Sequence, residues 1–158
     1  MSPRPVRAAL LTAASVLALL AGPPALSAQV TALSLRDSGR DLPVALTAEQ
    51  VTMGRALAHG MLAAARSDVT RPVTDEEVRA LGDRGTLLRV NLARAESVYL
   101  LRLGASARAS RIAAYVPPGA DDHAFVFLGR STWQRIVVVS LPEAVRRELR
   151  ALRRAAGD

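Results

Sequence analysis

Between Thr86 and Val139 the chain is dominated by apolar residues recurring every second position, and this pattern limits the folds open to it more than any other. Leu88, Val90 and Leu92 alternate with Leu87, Arg89 and Asn91, and after a break at 93–96 the run Ser97 to Leu103 is apolar on both faces. Such a pair reads as a half-buried strand followed by a central one. Arg111 to Val116, Ala124 to Leu128 and Trp133 to Val139 repeat the signal, joined by the turn-rich segments 117–123 and 129–132. Connections this short link antiparallel neighbours. A meander of about five strands over 86–139 is predicted.

Three helix starts accompany it. Thr47-Ala48-Glu49-Gln50 and Thr74-Asp75-Glu76-Glu77 have capping-box spacing, and Ser140-Leu141-Pro142-Glu143 offers a third start. The first helix is predicted from about Ala48 to Arg66, with Val51, Met53, Leu57, Ala58, Met61, Leu62 and Ala65 on its apolar arc and Arg55, His59 and Arg66 opposite. Gly54 and Gly60 lie inside it, where glycine weakens a helix but permits close packing, here expected against the sheet. The second is short, ends near Gly82, and carries Asp75, Glu76 and Glu77 where the positive end of the helix dipole favours acids. The third runs from Leu141 to about Ala155. Upstream, Val30 to Arg36 and Leu42 to Leu46 flank the turn-rich 37–41 and suggest an N-terminal hairpin. The expected fold is therefore α+β: an antiparallel sheet of about five strands, a hairpin beside it, and three helices packed mainly on one face.

The first 28 residues are predicted to be a separate unit. Arg4 and Arg7 precede an uncharged run from Ala8 to Ala21, which stops at Gly22-Pro23-Pro24 and is followed by the small residues of 25–28. The run is too short to span a bilayer and matches a cleavable signal peptide. Cleavage would follow Ser27 or Ala28 and leave one globular domain over 29–158, exported to a periplasmic or secreted location, with no stable membrane span.

The composition removes several chemistries. With no cysteine there are no disulfides, no thiolate catalysis and no cysteine-held zinc. All 21 basic residues are arginine, so Schiff-base catalysis and the lysine-dependent phosphate loop are excluded as well. Residues 29–83 hold six arginines against eight acids, whereas 84–111 hold six arginines against Glu96 alone. The positive charge lies in the second half, while aromatic stacking platforms are scarce. Nucleic acid is therefore not the expected partner.

No motif designates a catalytic residue, a metal site or a cofactor. The nearest cluster is the loop Asp121-Asp122-His123, which with Ser131 or an acid from the sheet forms the alternative reading of a small secreted hydrolase. The bland reading of that loop is a polar turn, and that of His59 a hydrated surface histidine among arginines. The final helix has explicit geometry: Leu141, Val145, Leu149 and Leu152 share a stripe, while Arg146, Arg147, Arg150, Arg153 and Arg154 gather opposite with Glu143. Solvated arginines over a packed stripe are the ordinary explanation, with Glu143 pairing Arg147 one turn on. The functional explanation is an anion-binding face, since guanidinium recognises oxyanions through its bidentate fork. These features lead to the expectation of an exported, non-enzymatic interaction module with a basic surface, its partner an acidic envelope component or a protein.

Overall fold

A computed structural model describes residues 29–44, 46–120 and 122–157, without the side chains of Leu152 and 155–157. The predicted signal segment and Asp121 lie outside the described residues. The elements run β1 (Val30–Asp37), β2 (Arg40–Leu42), α1 (Ala48–Ala63), β3 (Ala65–Val73), α2 (Asp75–Leu81), β4 (Thr86–Leu100), a 3₁₀ turn (Leu101–Leu103), β5 (Ala105–Val116), β6 (His123–Gly129), β7 (Trp133–Ser140) and α3 (Glu143–Gly157). All strands join one antiparallel sheet in the order β2-β1-β4-β5-β6-β7-β3. The α+β class stands, with seven strands in place of about five.

The difference in count has three sources. The two strands expected over 86–103 are one, because the pairing of β4 with β5 shifts register between Asn91 and Glu96 and then resumes, so the break at 93–96 is an irregularity within a strand. The N-terminal hairpin is part of the sheet, since β1 pairs with β4 along its whole length. Its turn is Ser38-Gly39, both at positive φ, as a two-residue turn matched to strand twist requires. β2 stops at Leu42, before Pro43.

Strand β3 was not foreseen. α1 ends at Ala63 rather than Arg66, and the chain turns straight into the edge strand β3, paired only with β7. An edge strand with most of its side chains in solvent does not need alternating apolar residues. The β-branched pair Val69-Thr70, and Pro72 forcing Arg71 to be extended, are what its sequence supplies.

The core has two parts. On one face of the sheet Leu35, Leu88, Val90, Ile112, Ala114, Val126, Leu128, Val137 and Val139 pack against Leu57, Ala58, Met61 and Leu62 of α1 and against Val145 and Leu149 of α3. The opposite face carries Leu87, Ala113, Tyr115, Phe127 and Trp133, covered by Val78 of α2. The helices are thus divided between the faces, two and one, which corrects the expectation of packing mainly on one face. Glycine does what close approach demands: a Cβ at Gly54 would meet Leu33 of the sheet at 3.0 Å, and one at Gly60 would meet Val145 of α3 at 2.7 Å. The second contact is with a helix, not the sheet.

Capping divides the three starts. Thr74 and Glu77 form the full reciprocal box, while Thr47 accepts from the Gln50 amide without the return bond. Ser140 caps nothing. It ends β7, and α3 begins three residues later.

Candidate functional site

Beyond the point where β6 pairs with β5, the β4–β5 hairpin continues as a free arm. Its inward residues Val98, Leu100 and Ala109 enter the main core, and its 3₁₀ turn contacts α1 and β3. Between this arm and the β7–β3 edge lies a notch of about 310 Å³, lined by Thr70, Ser106, Arg108, Leu128, Arg130, Gln134 and Arg135.

Its chemistry is one-sided. Arg135 is anchored through Asp68 at 3.0 Å and through the Ser106 carbonyl at 3.1 Å. Arg108 reaches only the Ala95 carbonyl, at 3.4 Å, and Arg130 has no side-chain partner among the described residues. Two hydroxyls and an amide complete the wall. Three guanidinium groups against one carboxylate leave an excess of positive charge and of donors, which suits an oxyanion.

The other face of the sheet holds a denser cluster in which two guanidinium groups share one carboxylate. Asp75, at the first turn of α2, accepts from the Trp133 indole at 2.8 Å and from Arg111, with Arg89 at 3.8 Å. The Arg111 guanidinium lies over the Trp133 ring and also donates to the Ser131 carbonyl at 3.1 Å. Arg111 holds the Asp75 carboxyl below its ordinary value, against the opposing effect of burial and with help from Trp133. The acids at this helix start were expected to serve the dipole; Asp75 in addition ties α2 to the sheet.

The arginines of α3 are mostly engaged. Glu143 pairs with Arg146 at 3.0 Å and Arg150 at 2.7 Å, not with Arg147, and Arg153 reaches Asp37 at 2.6 Å. Asp37 in turn accepts from the nearly buried Thr86 at 2.5 Å. Arg147 and Arg154 have no ion pair among the described residues. A shallow recess of about 350 Å³ lies beside Asp37, Leu42, Arg150, Arg153 and Arg154.

His123 and Ser131, two residues of the hydrolase alternative, are kept apart. His123 opens β6 and Ser131 follows its end, so the strand separates them by roughly 20 Å. Asp122 bonds the His123 imidazole at 2.8 Å, which lowers the carboxyl's pKa, and the ring stands edge-on to Phe125. Among the described residues no three His, Asp or Glu side chains are grouped to hold a metal ion. His59 lies half-exposed on α1.

A third recess, about 450 Å³ and apolar, lies between Ala48, Glu49, Thr52, Met53 and Ala56 of α1 and Glu148 of α3. Burial raises the Glu148 pKa, and the two glutamates make this recess unsuited to anions.

The residues of the notch are dispersed in the sequence and carry no motif. The excess of arginine over 84–111 pointed toward Arg108, but Arg130 and Arg135 reach it only through the pairing of β5, β6 and β7. No family model matches this sequence, and comparison with curated proteins and with solved structures finds no significant match.

Proposed function

We propose that this protein is an exported, non-enzymatic module that binds anionic ligands, and that the notch between the β4–β5 arm and the β7–β3 edge is its binding site. The observation carrying this reading is the convergence of Arg108, Arg130 and Arg135 on one recess with a single compensating acid, Asp68. The basic face of α3 is the competing location, but Glu143 and Asp37 already engage three of its five arginines in ion pairs. In the notch Arg135 is fixed by its partners and forms the floor contact, while Arg108 and Arg130 remain available to a ligand. Export follows from the leader pattern of residues 1–28 and is tested by sequencing the N-terminus of the accumulated protein.

The binding test is calorimetric titration with inorganic pyrophosphate at low and high salt. Arg108→Gln/Arg130→Gln should weaken binding at least tenfold with the fold intact, since each removed charge-assisted contact accounts for about a factor of ten. Unchanged affinity in that double variant would refute the notch as the site.

A further inference from the structure

Four large apolar side chains are strongly exposed among the described residues, and two of them sit two positions apart at one hairpin end: Tyr99 at 60% and Leu101 at 66%. Monomeric surfaces do scatter single apolar residues, but here the surroundings are cationic. From Ala93 to Ser110 the arm carries Arg94, Arg102 and Arg108 against Glu96 alone, which lies 3.8 Å from Arg94. Arg94 is largely exposed, and Arg102 is exposed with no ion pair among the described residues. The turn is braced from behind by α1 and β3, so its apolar residues are presented on a supported end.

We infer that this hairpin end docks on an anionic lipid surface, with Leu101 entering the acyl boundary, Tyr99 at headgroup level, and the surrounding arginines on lipid phosphates. The inference rests on the anion-binding reading of the notch and supplies its ligand: a phosphate of the same bilayer. Register brings the two together, because Tyr99 is directly opposite Ser106 of the notch wall, and residues so paired stand about 5 Å apart on one face. A tyrosine combines an apolar ring with a polar tip and is at home in the interfacial layer. Leucine supplies buried apolar area and arginine supplies attraction to anionic headgroups, the combination by which peripheral proteins hold a membrane without spanning it. No helix among the described residues is long and apolar enough to cross a membrane, so attachment of this kind would be superficial and reversible. Charge complementarity selects lipid over a neutral apolar partner, and the adjoining leucine selects it over a purely polar acidic polymer.

The test is co-sedimentation with vesicles of phosphatidylcholine containing about one third phosphatidylglycerol, with pyrophosphate titration run in parallel. Wild type is compared with Leu101→Ser and with Tyr99→Ser on the same cleaved or full-length form, so that any retained leader contributes equally to each. Both positions are exposed, and circular dichroism melts verify folding. The expected result is about a tenfold loss of partitioning in Leu101→Ser, a loss in Tyr99→Ser, and unchanged pyrophosphate affinity in both, since neither substitution changes the charge beside the notch. Partitioning insensitive to either substitution, or equal on phosphatidylcholine alone, would overturn the docking inference and leave the notch standing. Binding of polygalacturonate that exceeds vesicle binding and ignores Leu101 would likewise overturn it, in favour of a polymer. Absence of both vesicle and pyrophosphate binding would remove the docking and the anion-binding reading together.

Discussion

The guanidinium of Arg111 lies 4.5 Å from the centre of the Trp133 ring, and one carboxylate, that of Asp75, accepts from both residues. Trp133 is fully buried and is the one tryptophan of the chain. Its indole N–H therefore needs an acceptor, and the acceptor comes from a helix that would otherwise touch this face mainly through Val78. Charge, stacking and burial act on the same three residues, so α2 is fixed in position as well as covered.

Replacing Asp75 separates these effects. Asp75→Ala leaves the buried indole unpaired and should cost about 1–3 kcal/mol in urea unfolding. Asp75→Asn keeps an acceptor but loses the charge. In the wild type the folded pKa is lowered below 3.8, so the charge contributes stability above that value, lost as pH falls through the folded pKa. The gap in melting temperature between wild type and Asp75→Asn should be constant above about pH 5 and close below about pH 4. A gap that widens on acidification would contradict the assignment. Asp75 is well exposed, so the gap should be small and sensitive to salt.

At Gly60 two effects oppose each other. Alanine gains about 1 kcal/mol of helix propensity, but its Cβ would lie 2.7 Å from Val145 Cγ2, and Val145 is buried under α1. Overpacking at such a contact costs about 1–3 kcal/mol, so Gly60→Ala should lower the melting temperature. Gly60→Ala/Val145→Ala should recover part of the loss relative to Val145→Ala alone. A raised melting temperature in the single variant would show that α1 and α3 are packed more loosely than this.

Much of this architecture was legible in the sequence because burial leaves a periodic mark. The alternation over 86–92 and 111–139 gave β6 and β7 nearly in place and the first part of β4 and the second of β5, and Thr74-x-x-Glu77 gave the start of α2. What escaped has a physical reason in each case. β3 is an edge strand in solvent, so nothing forces its residues to alternate. Residues 93–96 interrupt the pattern of β4 because its pairing with β5 shifts register there, although Leu88, Val90 and Leu92 before the shift and Val98 and Leu100 after it enter the same core. The site was harder still. Arg130 and Arg135 are distant in sequence from Arg108, and only the ending of β6 ahead of the β5 arm creates a recess between them. The arginines of α3, conspicuous in the sequence, are partly neutralised by Asp37, a residue more than a hundred positions away.

That distant pair gives a further prediction. Burial raises the Asp37 carboxyl pKa, but the hydrogen bonds from Thr86 and Arg153 outweigh it, and the net shift is downward. Thr86→Val keeps the buried shape and removes one of those donors, at a cost of about 1 kcal/mol. With less stabilisation of the ionised form, the carboxyl midpoint of Asp37 followed by carbon-detected NMR should move up. A midpoint that stays or falls would show that the Thr86 hydroxyl is not what holds the charge. The destabilisation should be full above about pH 5 and fade under more acidic conditions, since the group then protonates in both proteins.

The two basic regions should differ in what they do with an anion. On α3 the residues without an ion pair among the described residues are Arg147 and Arg154, whereas Arg146, Arg150 and Arg153 would have to leave Glu143 or Asp37 to take a ligand. Leaving an existing partner offsets most of what the new one contributes, so a pyrophosphate bound there would be weak. Arg147→Gln/Arg154→Gln should therefore change pyrophosphate affinity by no more than about twofold, against at least tenfold for Arg108→Gln/Arg130→Gln. Both double variants remove two positive charges, so any general effect of net charge is the same in each and cancels in the comparison. Titrations at about 20 mM and about 150 mM salt should show steeper salt dependence for the wild type than for the notch variant, because the contacts being screened are in the notch. If the α3 variant loses the affinity and the notch variant keeps it, the anion lies beside Asp37 and Leu42 instead, and the arm between β4 and β5 is free of that role.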